Sequence, residues 1–119
     1  MRHPKKYKWY KIAESEAEIQ SDGTIIKLME PNGKKVCITK FQDNWFAFTG
    51  VCPHAGGLLS EGYVDMTGNV VCPLHRYKFN IKNGRNVSGE GYFLKTYPVE
   101  LRQDGVFIGL EEGGLLGWF

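Results

Sequence analysis

The sequence predicts an all-β fold built from antiparallel strands. Short runs rich in β-branched and aromatic residues alternate with Gly and Pro along its 119 residues. Between such runs lie Asn32-Gly33, Asn83-Gly84 and Asp104-Gly105, dipeptides that tolerate the positive φ of tight hairpin turns. Helical signal is confined to one short stretch.

The expected strands cover residues 7–12, 24–29, 34–40, 45–49, 70–72, 78–81, 97–101 and 106–110. After the first, Ser15 followed by Glu18 forms a capping box beside Ala13, Ala17 and Ile19, enough for one or two helical turns. Asn32-Gly33 then joins the second and third strands. Within the third, Cys37 sits in the apolar run Val36-Cys37-Ile38 and reads as a buried strand residue. Between Gly50 and Tyr63, Pro53, Gly56, Gly57 and Gly62 break any strand and favour a loop that wraps something. Asn83-Gly84 follows the sixth strand and Asp104-Gly105 joins the last two.

A chain of this length makes one domain, residues 1–119, and buries roughly two thirds of the surface its unfolded form exposes. No apolar run approaches the length of a membrane span, so no membrane partner is expected. Arg2, His3, Lys5, Lys6 and Lys8 form a basic start without the apolar stretch of a secretory signal, and a cytoplasmic location is expected. That start is read as a solvated terminus, with a docking patch for an acidic partner as the alternative. A net charge of +2 gives little reason to expect nucleic-acid binding. Three cysteines cannot all pair, and their placement argues against a disulfide scaffold.

Two short segments each offer one thiolate and one imidazole: Cys52-Pro53-His54, then Cys72-Pro73-Leu74-His75, with 17 residues between them. Two sulfur and two nitrogen donors make a soft site, suited to tetrahedral zinc or to an iron-sulfur cluster. Zinc sites of the ribbon type usually present C-x2-C knuckles, which the C-x-H segment copies poorly.

C-x-H, a gap of this size and C-x-x-H resemble the Rieske pattern, together with the flanking prolines and Gly56-Gly57-Leu58. The resemblance covers residues 45–99 directly and the whole length more weakly. It implies an antiparallel β-sandwich with a small cluster-binding subdomain, at about residues 50–96, inserted after the strand ending near Thr49. It also implies one [2Fe-2S] cluster, with Cys52 and Cys72 on one iron and His54 and His75 on the other. Mixed ligation has a physical rationale: two ferric ions, two sulfides and two thiolates sum to about zero charge, where four thiolates leave about minus two. A neutral cluster is easier to reduce.

Members of the family in respiratory complexes carry two further cysteines that tie the cluster loops together; the matching positions here are Gly57 and Leu74. Those members also donate hydroxyls to the cluster at positions that here hold Tyr77 and Phe79. A low potential within the Rieske range is therefore expected. The segment 89–94 matches a covering loop that usually contains proline, and Tyr92 or Phe93 is expected to shield the site instead.

Once two of the three histidines bind the cluster, only His3 is left, too few for a catalytic iron with two histidines and a carboxylate. The chain is thus expected to carry electrons rather than to turn over a substrate. The partners implied are a flavoprotein reductase and a terminal oxygenase. A neighbouring reading is the small subunit of an NADH-dependent nitrite reductase beside its large subunit, and a different one is a zinc-stabilised interaction module.

Overall fold

The computed structural model describes residues 6–21, 23, 25–53, 56–74, 76–89 and 91–112. Along them run β1 (Tyr7–Ala13), α1 (Glu16–Gln20), β2 (Ile26–Met29), β3 (Val36–Phe41), β4 (Asn44–Thr49), β5 (Tyr63–Val64) and β6 (Asn69–Val71). The chain continues through β7 (Lys78–Asn80), β8 (Thr96–Tyr97), β9 (Val99–Arg102) and β10 (Gly105–Glu111). They form three sheets, in the orders β1-β10-β9, β2-β3-β4-β8 and β5-β6-β7, with every pairing antiparallel. The all-β reading and its little helix are those of the molecule.

The four-stranded sheet is the middle layer, because alternate residues of β3 enter different cores. Val36 and Ile38, with Ala47 of β4 and Tyr97 of β8, join Ala13, Ile19, Val106, Ile108 and Leu110. Cys37, with Phe48 of β4 and Ile26 of β2, joins Cys52, Leu59, Val70, Cys72, Phe79, Ile81 and Leu94. The register pairs Leu28 with Cys37 and Cys37 with Phe48, so one row of side chains crosses the sheet on that face. A strand buried on both faces reads as a continuous apolar run, and Val36-Cys37-Ile38 is one.

The helix starts as its sequence dictates: the Ser15 hydroxyl accepts from Glu18 N (3.4 Å) and the Glu18 carboxylate accepts from Glu14 N (2.7 Å). Glu16 accepts from the Trp45 indole N–H (2.7 Å) and tethers the helix to β4. That bond, against a smaller desolvation effect and helped by Lys40, holds the Glu16 carboxyl below its usual value.

Two expectations change, and one turn that was not foreseen appears. Residues 97–101 are two strands in two sheets, because Pro98 lacks an N–H for the ladder and the chain crosses from the middle sheet to the outer one there. The turn between β3 and β4 is Gln42-Asp43, with φ of 50° and 66°, a primed hairpin turn without glycine that composition does not reveal. Asn83-Gly84 does fold the chain back on β7, but through a single bridge, Phe79 with Asn86, rather than a strand pair. Gly84 is required there: its φ is +77° and a Cβ would stand 1.8 Å from Leu94 O. The apolar end, residues 115–119, and His3 lie outside the described residues.

Candidate metal centre

The two candidate ligand segments fold alike. Cys52 N–H donates to Gly57 O (2.8 Å), and Cys72 N–H donates to Tyr77 O (2.8 Å), so each loop opens on a cysteine and closes on the carbonyl five residues later. Four residues after each cysteine the backbone turns left-handed, at Gly56 (φ 76°) and at Arg76 (φ 57°). The first loop is fixed further by Gly56 N to Cys52 O (2.9 Å), Leu59 N to Gly50 O (2.9 Å) and a bridge between Val51 and Leu58. The second hangs between β6 and β7.

This construction brings Cys52 and Cys72 together at the top of the core below the middle sheet. Both thiols are buried and outside any disulfide. Burial pushes the Cys72 thiol up to about 11; its hydrogen bond with the Cys52 sulfur and the charge there add to the rise, while the Leu74 backbone N–H opposes it. Sulfur binds metal as thiolate, so protons leave when metal arrives. Gly57 lets the loops touch: a Cβ there would lie 3.0 Å from Leu74 Cδ1 and 3.9 Å from Cys72 Sγ.

Cys37 is a core residue of β3, as its neighbours in sequence foretell. Burial pushes its thiol up to about 12, although the Ser60 backbone N–H donates to the sulfur. It packs beneath the pair without joining their loops.

The core that holds the thiols is otherwise apolar. Phe79 is fully buried in the same core and Tyr77 is half-buried against it. Tyr92 lies with its ring 6.4 Å from that of Tyr77, whereas Phe93 is 69% exposed; of the two residues expected to shield the site, Tyr92 is the one that packs beside a loop. Val51, Leu74 and Phe93 are exposed apolar side chains. Asn86, opposite Phe79, keeps a side-chain Nδ2 that is sealed from solvent and, among the described residues, has no hydrogen-bond partner.

Behind the loops, the turn from β5 to β6 is built on Asp65. Its carboxylate accepts from Thr67 N (2.9 Å), Thr67 Oγ1 (2.9 Å), Asn69 N (3.0 Å) and Asn69 Nδ2 (3.2 Å). Desolvation raises the Asp65 carboxyl, but these bonds outweigh it and leave the group below its usual range.

Of the four candidate ligands, the structure joins Cys52 and Cys72; His54 and His75 lie outside the described residues. Both histidines flank described loop residues, two after Cys52 and three after Cys72. The Leu74 N–H, Arg76 and Asn86 escaped the sequence reading. Nothing in composition marks a backbone donor, a left-handed arginine or the direction of an asparagine amide. A pair of buried, unbridged thiols, each at the start of a loop with the same backbone closure, fits a sulfur-ligated metal group.

The family model described as Rieske [2Fe-2S] domain matches residues 8–98. Over 77 residues the chain is 27% identical to the ferredoxin component of the alkene monooxygenase system of Xanthobacter autotrophicus, covering 65% of this chain and 63% of that protein, under two thirds of the relative's length. The ferredoxin of carbazole 1,9a-dioxygenase from Nocardioides aromaticivorans has a similar structure, with a TM-score of 0.70 at 18% identity over 84% of this chain and 95% of that one. A structure described as an NADH-dependent nitrite reductase small subunit from Mycobacterium tuberculosis gives a TM-score of 0.70 at 20% identity, over 88% and 96%. At these identities the structural likeness is one of fold.

Proposed function

Because the chain belongs to the Rieske [2Fe-2S] domain family, we propose that it is a one-electron carrier, with its cluster held by Cys52, His54, Cys72 and His75, working between a flavoprotein reductase and a terminal oxygenase. The observation that carries this reading is the meeting of two buried thiols at the mouths of two loops with the same backbone closure. The bound cluster supplies one-electron uptake and release. A cluster-binding subdomain of about residues 50–96 belongs to the same reading: the β5-β6-β7 sheet and both loops fall between β4 and β8.

The chain's own groups have separable tasks. The thiolates hold charge, and the Leu74 N–H beside the Cys72 sulfur offsets part of it. Phe79 keeps water out from beneath but offers no hydrogen bond. Val51 and Leu74 on the two loops, with Phe93, leave exposed apolar side chains that a transient electron-transfer partner could cover. Cysteines outside any disulfide suit a reducing compartment such as the cytoplasm.

With Phe79 in place of a donor, the midpoint belongs in the lower part of the Rieske range of roughly −150 to +300 mV. Protein-film voltammetry checks this: a midpoint above about +100 mV at neutral pH contradicts it. The cluster itself is tested by low-temperature EPR before and after dithionite, with iron, sulfide and zinc counted on the same sample. A rhombic signal on reduction, with average g below the free-electron value, supports the reading; a silent protein with stoichiometric zinc refutes it.

The nitrite reductase subunit is the second reading, favoured by the likeness of fold to the M. tuberculosis structure. The ferredoxin component among the relatives favours the first. Stable co-purification with a large sirohaem subunit would reverse that preference.

A further inference from the structure

Three asparagines spaced three apart make the same turn after β7. Asn80 Oδ1 accepts from Lys82 N (2.8 Å), Asn83 Oδ1 from Arg85 N (2.9 Å) and Asn86 Oδ1 from Ser88 N (2.8 Å). Such a turn needs only the side-chain oxygen, so aspartate serves as well, and the amide nitrogen is superfluous to it. The Ser88 N–H also fixes which end of the Asn86 amide is oxygen, leaving Nδ2 facing away from the turn.

At Asn86 that nitrogen is buried without a partner among the described residues, although buried donors are almost always satisfied. Asn86 stands opposite Phe79 in an antiparallel bridge, and directly opposed residues project to the same face. The Phe79 side chain enters the core that holds the Cys52 and Cys72 sulfurs. The donor therefore lies on the side of the molecule where a sulfur-rich group would sit, and among the described residues no acceptor takes it.

We propose that Asn86 is a further cofactor-binding residue, its Nδ2 donating a hydrogen bond to a sulfur of the bound cluster or of a ligand cysteine. The proposal rests on the cluster reading given above. A donor to sulfur stabilises the added electron and raises the potential; in this chain it acts where Phe79 cannot. No bond is made or broken, and the effect is electrostatic.

The test compares wild-type protein with Asn86→Leu and Asn86→Asp. Each is counted for iron and sulfide, measured by protein-film voltammetry and, as apoprotein, melted. Asn86→Leu is neutral and close in size, and Asn86→Asp keeps the acceptor for Ser88 N. The expected result is full loading, a midpoint shifted downward in both variants and little change in apoprotein melting. In addition, protein labelled with 15N only in asparagine should show a weak 15N coupling to the reduced cluster that Asn86→Leu abolishes. A variant that loads poorly while its apoprotein melts as wild type also supports the role. A loaded Asn86→Leu with an unchanged midpoint and the 15N coupling intact overturns it, as does a variant in which only apoprotein stability falls. Wild-type protein without iron and sulfide overturns the cluster reading itself, a separate outcome.

Discussion

The two faces of the middle sheet meet different kinds of core. On one, Val36, Ile38 and Ala47 of the middle sheet meet Val106, Ile108 and Leu110 of β10 in a mostly aliphatic layer that also takes in Ala13, Ile19 and Tyr97. On the other, Phe48 and Phe79 share the interior with Cys37, Cys52 and Cys72, and Asn86, opposite Phe79, holds a donor without an acceptor among the described residues. Branched aliphatics need nothing but each other, since their burial is non-directional. Thiols and an amide have directional valences that packing alone does not use. The difference teaches that the outer half finishes itself during folding, whereas the loop half is completed by what it binds.

The strongest way to break that comparison is to remove a ligand. Cys72→Ser should take iron and sulfide to near zero, and amide exchange should quicken at Cys52 and in the 51–58 loop. Amides of β10 should exchange as before. If β10 loosens equally, the two halves are one cooperative unit and the distinction fails.

Next in size is the reverse experiment. Ile108 is fully buried in the outer core, and Ile108→Ala should cost about 2–5 kcal/mol in denaturant unfolding. Cluster content and midpoint of the folded fraction should not change, because the cavity opens on the far side of the middle sheet.

A pH titration sharpens the account of the loop half. The folded Asp65 pKa is depressed below its ordinary 3.8, so its contribution is fully present above the unfolded value and is lost as pH falls through the folded one. Lowering pH below about 4 should speed exchange of the Thr67 and Asn69 amides before those of β10. Asp65→Asn, tested at neutral pH, should reproduce the effect and remove its pH dependence.

The smallest effect expected concerns the two loops themselves. Gly56 and Arg76 occupy equivalent left-handed positions, but only glycine adopts that region without steric cost. Arg76→Gly should stabilise the folded chain by roughly 0.5–1 kcal/mol, read from the urea midpoint at unchanged slope. No change would mean that the Arg76 side chain offsets its own backbone strain.

Much of this architecture was legible beforehand, for local reasons. Ser15 and Glu18 cap a helix wherever the chain places them, and the hairpin expected near Asp104-Gly105 does form, although its turn is Gln103-Asp104 and Gly105 already pairs with Arg102. The burial of Cys37 followed from apolar neighbours on both sides. What was not legible depended on residues far apart in the chain. Pro98 could be seen, but not that two sheets meet there. Gln42-Asp43 carries no glycine, so only the pull of β3 on β4 reveals a turn with positive φ at both residues. The strand Tyr63–Val64 is too short to show any alternation, and its pairing with β6 creates it.

The site divides in the same way. By residue type and spacing alone, Cys52, His54, Cys72 and His75 are the expected donors of a soft site, since metal chemistry depends on which atoms are offered and how closely they are strung. That Cys52 and Cys72 share one buried mouth, that Gly57 lies against Leu74, and that the Asn86 amide turns inward were decided only by the tertiary structure. Those facts are distances and directions between segments up to 34 residues apart, from Cys52 to Asn86, and the order of residues along a chain encodes such distances only through the packing of the whole.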